Sequence, residues 1–184
     1  MISSADRSFL LVIDLQPAFM VTMPDADAII HRAAFLCRVA GLMGVPVVVT
    51  EQYPSRMGGT DPRILEALSR ATYQIHPKMA FSAWADAPTQ AAIQALGRDQ
   101  AVVVGCETHI CVTQSVLHML EADLGVFVAE DAVTGRGSEV RASAFRRMAA
   151  AGASLSHTES VTYEWMGSAE HPAFRDVLRL VKEG

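Results

Sequence analysis

The segment from residue 102 to residue 112, VVVGCETHICV, contains the residue best placed for nucleophilic chemistry, Cys111. Its β-branched run predicts a buried strand that ends at Gly105, and a helical pattern begins within a few residues. The first turn of a helix presents free backbone N–H groups and the positive end of the helix dipole. We therefore expect a lowered pKa for the Cys111 thiol, which makes it a better nucleophile. The alternative is a buried cysteine that packs as a small hydrophobic residue.

Two charged residues follow other predicted strands and offer acid–base partners for such a thiol. Asp14 ends the apolar run LLVI, where desolvation is expected to raise the pKa of its carboxyl toward that of a general base. A turn or a helix cap is the alternative for Asp14. Lys78 lies in the apolar stretch HPKMAFSAW, whose Phe81 and Trp84 are placed to wall a pocket. An acid, a cation and a thiol at three strand ends together favour a catalytic site.

The elements that must position these residues alternate between strands and helices. Apolar runs without polar alternation predict strands that are buried on both faces, as in a parallel sheet. The predicted strands cover residues 8–14, 45–50, 73–76, 101–105, 126–129 and 153–155. The predicted helices cover residues 27–43, 61–68, 88–96, 109–124, 138–151 and 171–181. This order predicts one α/β domain over residues 1–184, a three-layer α/β/α sandwich with a Rossmann-like, mainly parallel six-stranded sheet. Ligands of such sheets bind beyond the carboxyl ends of the strands, where the strand order reverses.

Composition narrows the classes of partner. The chain has 184 residues, of which 51% are hydrophobic, and a net charge of −5. This acidic balance argues against nucleic acid or an anionic membrane surface as the main partner. No apolar run approaches transmembrane length, and residues 1–8 are too short and too polar for a signal peptide. Three cysteines without a pairing pattern indicate the reducing cytoplasm, and the apolar composition, with 9 Met, points to a homo-oligomer.

At these residues the chain resembles the isochorismatase-like cysteine hydrolases, a superfamily that includes nicotinamidases and N-carbamoylsarcosine amidases. The similarity covers nearly the whole chain and is anchored on Asp14 in LLVIDLQPAF, Lys78 in HPKMAFSAW and Cys111 in VVVGCETHICV. Later matches are EDA at 130–132, after the fifth predicted strand, and TES at 158–160. The pairing of TEQYP at 50–54 with GCETHICV most resembles the isochorismatase domain-containing branch of the superfamily.

The resemblance implies a catalytic triad of Asp14, Lys78 and Cys111. Asp14 would take the thiol proton, Lys78 would stabilise the thiolate and orient the carboxylate, and Cys111 would attack a carbonyl to form a thioester. Asp14 would then return its proton to the leaving amine and activate water. The family's turn contains a non-proline cis peptide, which here maps to Cys106–Glu107 and gives Cys106 a backbone role. It would aim the backbone N–H groups of Glu107 and Cys111 at a developing oxyanion.

Departures from the family pattern narrow the expected substrate. Nicotinamidases hold a metal with Asp-x-His and a further His beyond the second strand, where this chain has Glu51, Gln52 and Tyr53. The resemblance therefore implies no metal and no cofactor, and a metal-independent hydrolase of C–N bonds in a small amide-like substrate. The predicted substrate-binding residues are Phe19, Glu51, Gln52, Tyr53 and Trp84.

Other interpretations remain open at the level of sequence. A non-catalytic protein would keep the fold as a binding or assembly module, although the retention of all three anchors argues against this. A thiol-redox protein would use Cys106 and Cys111, although their spacing is not CxxC. Arg136 and Arg141 follow the fifth predicted strand and are interpreted as two solvated arginines, the alternative being that they bind a carboxylate.

Overall fold

A computed structural model describes residues 1–183 of the chain. Its strands are β1 Ser8–Ile13, β2 Val47–Gln52, β3 Tyr73–Lys78, β4 Gln100–Cys106, β5 Gly125–Thr134 and β6 Ser154–Ser156. All neighbouring pairs are parallel, and the strand order is β3-β2-β1-β4-β5-β6. The predicted six-stranded parallel sheet is therefore confirmed, and the order reverses between β1 and β4, which places the expected crevice there.

Helices cover both faces of the sheet. The α-helices of the described chain are α1 Pro17–Met20, α2 Ala26–Met43, α3 Pro54–Met57, α4 Pro62–Ala67, α5 Ala87–Ala95, α6 Thr113–Glu121, α7 Ser138–Ala150, α8 Thr158–Met166 and α9 Phe174–Glu183. Helices α2, α4, α8 and α9 pack into one core, and α5, α6 and α7 pack into the other. This arrangement confirms the three-layer α/β/α sandwich. No helix within residues 1–183 is long and apolar enough to cross a membrane.

The central strands are buried because both of their faces carry apolar side chains. In β1, Leu10 and Val12 belong to one core, whereas Phe9, Leu11 and Ile13 belong to the other. This division follows the two-residue period of a strand, in which successive side chains point to opposite faces.

Gly105 allows β4 to approach β1 at the end where the site forms. Its φ is +132°, and a Cβ at this position would lie 2.1 Å from the backbone oxygen of Ile13. Only glycine fits so close a backbone contact. The glycine that ends the predicted strand is therefore needed to bring the end of β4 against the end of β1.

Strands β3 and β5 differ most from their predicted form, and the bounds of the other four differ by one or two residues. The expectation of burial on both faces is wrong for the two edge strands of the sheet: Tyr73 and Ile75 of β3 are 41% and 38% exposed, and β6 is half-buried. Strand β3 also continues past residue 76, so Lys78 occupies its last position. Strand β5 extends to Thr134 and shifts register opposite β4, so residues 130–132 lie within the strand and not after it.

The predicted helix over residues 109–124 is divided in the structure. Residues Thr108–Val112 form a π-helical turn, and α6 begins only at Thr113. Cys111 lies inside this turn, and single π-helical turns are frequent at functional sites. Helix α8 was not predicted, and it begins where the Asp131 carboxylate accepts hydrogen bonds from the Thr158 backbone N–H at 2.8 Å and from the Thr158 hydroxyl at 2.6 Å.

Candidate active site

The carboxyl ends of four neighbouring strands meet at one edge of the sheet. Ile13, the last residue of β1, pairs with Thr50 of β2 on one side and with Gly105 of β4 on the other. Gln52 of β2 pairs with Lys78 of β3. Asp14 after β1, Gln52 at the end of β2 and Glu107 after β4 therefore lie around one crevice, which is where parallel α/β sheets place their ligands.

A buried ion pair forms the base of this crevice. Lys78 Nζ donates to Asp14 Oδ2 at 2.7 Å, and the two side chains are 0% and 2% exposed. The same nitrogen lies 2.6 Å from Gln52 Oε1, 3.1 Å from the Phe81 carbonyl and 3.3 Å from the Ala80 carbonyl. Four oxygens thus surround Lys78 Nζ, which satisfies the requirement that a buried cation be paired and hydrogen-bonded.

Asp14 is held from both sides. Its Oδ1 accepts a hydrogen bond of 2.7 Å from the Thr50 hydroxyl, and its Oδ2 accepts the bond from Lys78. Desolvation raises the pKa of the Asp14 carboxyl, and the charge of Lys78 opposes that rise without cancelling it. The predicted direction of the shift is therefore confirmed. The backbone of Asp14 has a φ of 52°, in the left-handed region that non-glycine residues adopt infrequently.

Cys111 lines the same cavity as Asp14 and is 7% exposed. Burial, and after it the negative charge of Asp14, raise the pKa of its thiol to about 12, although the charge of Lys78 acts in the opposite direction. The prediction of a lowered pKa is wrong because the loss of water and the neighbouring carboxylate outweigh the favourable helix end. In the resting protein the proton is on the sulfur, beside a carboxylate that can accept it.

The pH dependence of thiol alkylation tests this electrostatic arrangement. A thiol with a raised pKa contains little thiolate at neutral pH, so we expect its alkylation rate by iodoacetamide to rise steadily to pH 10, about tenfold per pH unit. Asp14→Asn should shift this rise to lower pH, because it removes the charge that raises the Cys111 pKa. Lys78→Met should shift the rise to higher pH. Rates are read at Cys111 by peptide mass spectrometry, and a plateau below pH 8 in the unmodified protein would contradict the assignment.

The cavity at this edge is small, with a volume of about 70 Å³. Its lining residues are Asp14, Phe19, Gln52, Phe81, Cys106, Glu107, Ile110 and Cys111. Phe19 and Gln52 were predicted to bind substrate, and Phe81 was predicted, with Trp84, to form a wall of the pocket. Ile110 was missed, because its inward orientation depends on the π-helical turn.

Three other predicted pocket residues do not line this cavity. Glu51 Oε1 instead accepts hydrogen bonds of 2.8 Å from both the backbone N–H and the hydroxyl of Thr60. Tyr53 is 41% exposed to solvent, and Trp84 packs against the hydrophobic core. Glu51 precedes Gln52 within β2, and because successive side chains of a strand point to opposite faces, Glu51 faces away from the cavity that Gln52 lines.

The turn after β4 brings a further carboxylate to the cavity. The peptide bond between Cys106 and Glu107 is cis, as the resemblance implied. Cys106 Sγ donates to the backbone oxygen of Asp14 at 3.1 Å, and burial holds the pKa of this thiol well above its usual range. Glu107 Oε2 accepts a hydrogen bond of 2.6 Å from Arg136 Nε.

Arg136 and Arg141 both bind carboxylates of the chain itself. Arg136 pairs with Glu107, whereas Arg141 donates to Asp25 Oδ2 at 2.5 Å. The interpretation as solvated arginines misses these two partners, whereas the alternative, binding of a carboxylate, holds, and both carboxylates belong to the protein itself.

Gln16 has a structural role that sequence reasoning did not assign. Its fully buried side chain accepts a hydrogen bond of 2.7 Å from the Gln52 backbone N–H, and donates to the Gln52 carbonyl at 3.1 Å and the Gly58 carbonyl at 2.6 Å. It therefore fixes the end of β2, from which the Gln52 side chain reaches Lys78. In the sequence, the feature that points to a role for Gln16 near the site is its position two residues after Asp14.

Other parts of the described chain offer less for chemistry. Within residues 1–183 no group of three or more His, Cys, Asp or Glu side chains is arranged to hold a metal ion. A larger cavity, of about 350 Å³, lies between α2, α4 and α9. Its charged lining residues are Arg38, Glu66, Arg70, Asp176 and Arg179. Its lining contains no cysteine or histidine, and Ser69 and Arg70, which line it just before β3, lie at the end of the sheet opposite the candidate site.

Known proteins are similar to the chain over nearly its whole length. A family model described as "Isochorismatase domain" matches residues 8–160. The secreted isochorismatase effector Isc1 of Phytophthora sojae (strain P6497) is 33% identical over 178 residues, which cover 96% of this chain and 85% of the relative. Isochorismatase domain-containing protein 2 of Bos taurus is 33% identical over 181 residues, with coverage of 96% and 83%.

Solved structures extend the similarity to three dimensions. MAR1 ribonuclease from Caenorhabditis elegans is 34% identical, with a TM-score of 0.92 and coverage of 99% of this chain and 93% of the other. YcaC from Pseudomonas aeruginosa, solved with hexane-2,5-diol and covalent acrylamide, is 25% identical, with a TM-score of 0.87 and coverage of 99% and 96%. The Escherichia coli YcaC product, an octameric hydrolase of unknown specificity, shares the fold at 23% identity, a TM-score of 0.85 and coverage of 100% and 97%.

Proposed function

The chain belongs to the isochorismatase family, and from this premise we propose that it is a cysteine hydrolase that cleaves the C–N bond of a small amide-like substrate without a metal. The proposal is carried by the buried Lys78–Asp14 ion pair, whose Asp14 lines the same cavity as the Cys111 thiol. Burying two charges is costly, and such pairs are concentrated where chemistry needs them.

In the proposed reaction Cys111 Sγ attacks the substrate carbonyl while Asp14 accepts the thiol proton. The raised pKa of Asp14 suits a base that must later release this proton. The tetrahedral oxyanion is stabilised by the backbone N–H groups of Glu107 and Cys111. Lys78 is a positioning residue, because its nitrogen is surrounded by protein oxygens and fixes the Asp14 carboxylate.

The second half of the reaction regenerates the thiol. When the C–N bond breaks, the proton on Asp14 passes to the leaving nitrogen and a thioester remains on Cys111. Asp14 then accepts a proton from water, whose oxygen attacks the thioester carbonyl. The carboxylic acid leaves, and the proton returns from Asp14 to the sulfur. The covalent acrylamide on Pseudomonas aeruginosa YcaC supports a nucleophile in that relative that reacts with a small amide-bearing electrophile.

A panel of small amides tests the proposal. We expect slow but measurable release of ammonia from acetamide, propionamide or a simple ureide, and loss of this release in Cys111→Ala. A thioester adduct trapped by acid quench and located at Cys111 by mass spectrometry would support the mechanism directly. Cys37→Ala is the matched control, because Cys37 is a free, fully buried cysteine outside the cavity. Equal turnover in Cys111→Ala would exclude Cys111 as the nucleophile, and silence across the panel would favour a binding or assembly module.

RNA belongs in the same panel because the Caenorhabditis elegans relative is named a ribonuclease. We expect no cleavage, since a phosphodiester entering this cavity would meet the carboxylates of Asp14 and Glu107. The net charge of −5 adds a long-range repulsion.

The proposal also covers the oligomeric state of the protein and the cellular compartment in which it works. We infer a homo-oligomer because the Escherichia coli neighbour is an octamer and apolar side chains such as Tyr73, Ile75 and Met79 are exposed at one edge of the sheet. We infer the cytoplasm because Cys37, Cys106 and Cys111 are all free thiols.

A further inference from the structure

Glu107 brings to the cavity a carboxylate that the proposed mechanism does not use. It follows directly after β4 and lines the cavity that also contains Cys111. Its side chain is 15% exposed, so most of it is removed from solvent. A carboxylate in this position exerts its charge on whatever enters the cavity, because the surrounding walls of Phe19, Phe81 and Ile110 screen it poorly.

Arg136 fixes this carboxylate without filling the cavity. Its Nε donates to Glu107 Oε2 at 2.6 Å, while the arginine side chain itself is 59% exposed. Arg136 lines a separate depression at the start of α7, so the cation lies on the outer side of the pair. Within residues 1–183 no donor is hydrogen-bonded to Glu107 Oε1. One oxygen of a positioned carboxylate is therefore available to a ligand.

The remaining lining residues offer no compensating cation. The titratable groups that line the cavity are the carboxyls of Asp14 and Glu107 and the thiols of Cys106 and Cys111. Lys78 Nζ is fully buried behind its four oxygen neighbours and cannot reach a ligand. A ligand carboxylate would thus meet negative groups and find no partner, which costs several-fold in affinity for every unpaired charge.

We propose that Glu107 is a specificity-determining residue that selects substrates presenting an N–H donor or a cationic nitrogen next to the reacting carbonyl, and that excludes substrates carrying a carboxylate there. This inference rests on the proposed hydrolase function of the same site. A volume of about 70 Å³ limits the enclosed part of the substrate to a few heavy atoms, so the selected class is primary amides, ureides and small amino amides. Arg136 is the positioning residue that holds Glu107.

Two alkylating reagents of the same shape test the selection at Cys111. Iodoacetamide and iodoacetate both transfer a carbon to sulfur with loss of iodide, and they differ only in an amide against a carboxylate. We expect the ratio of the iodoacetamide rate to the iodoacetate rate to be about tenfold or more higher at Cys111 than at the thiol of glutathione. The Glu107 carboxylate accepts a hydrogen bond from the amide of iodoacetamide, whereas it repels the carboxylate of iodoacetate. Rates are measured at pH 9 by mass spectrometry of the Cys111 peptide.

Glu107→Gln is the decisive variant because it preserves shape and backbone while removing the charge. We expect it to lower the rate ratio about tenfold. Glu130→Gln removes the same charge at an exposed position outside the cavity and should leave the ratio unchanged. A ratio equal to that of glutathione, or one that Glu107→Gln does not move, would overturn the inference.

Binding without chemistry separates this inference from the proposed function. In Cys111→Ala protein, acetamide is expected to bind more tightly than acetate in an NMR titration, and Glu107→Gln should remove that preference. If amides are not hydrolysed but the preference remains, the hydrolase function fails and the selectivity of the cavity stands. If amides are hydrolysed and neither the binding preference nor the alkylation ratio depends on Glu107, the inference fails alone.

Discussion

Asp14→Asn is expected to lower kcat/KM for a small amide by about 10²–10⁴-fold, the usual contribution of a general base. The same variant should increase the reactivity of the Cys111 thiol toward iodoacetamide at a given pH, because the Asp14 charge raises the Cys111 pKa. Activity and alkylation therefore move in opposite directions. Hydrolysis is followed by ammonia release and alkylation by mass spectrometry, both on the folded variant.

The chain provides a closely matched control for this variant. Asp123 is an exposed aspartate whose φ of 61° resembles the φ of 52° at Asp14. Asp123→Asn thus makes the same chemical change on the same type of backbone, away from the cavity, and should leave kcat/KM within about twofold. A parallel fall of activity and thiol reactivity in Asp14→Asn would indicate a damaged site and would contradict a general-base role.

Lys78→Met is expected to destabilise the protein by about 3–5 kcal/mol, because it leaves the Asp14 carboxylate buried without its cation. Replacing both partners, in the Asp14→Asn, Lys78→Met double variant, should recover most of this loss. The free energy of unfolding is measured by urea denaturation, and one value of m, its dependence on urea concentration, is fitted to all variants. Lys182→Met removes the other lysine of the chain at an exposed position and serves as the control.

The stability lost in Lys78→Met is expected to depend on pH, in a direction that follows from the pKa of Asp14. Desolvation raises the pKa of Asp14 in the folded protein above its unfolded value, and loss of the Lys78 charge raises it further. A raised carboxyl pKa favours folding at low pH, and that advantage is lost as the pH rises through the folded-state pKa. The stability gap between Lys78→Met and the unmodified protein should therefore narrow on acidification from pH 7 to pH 5. A gap that widens, or a double variant as unstable as the single one, would show that Asp14 is not the uncompensated charge.

The strands at the centre of the sheet were predictable because burial on both faces requires an unbroken apolar run. The segments around Leu10 and Val102 are such runs, and both are fully buried. Strand β3 was assigned correctly as a strand but incorrectly as buried, since its edge position depends on the strand order. The π-helical turn at Thr108–Val112 was not predictable, because it extends an ordinary helical pattern by a local change in hydrogen bonding.

Residue types and their places at strand ends were enough to predict that Asp14, Lys78 and Cys111 share one edge of the sheet. Only the tertiary structure decided the electrostatics, because a pKa depends on the surrounding solvent and charges and not on the neighbours in sequence. Burial beside Asp14 reversed the expected shift at Cys111. The ion pair of Glu107 with Arg136, 29 positions along the chain, likewise depends on the pairing of β4 with β5, which the three-dimensional fold alone brings about.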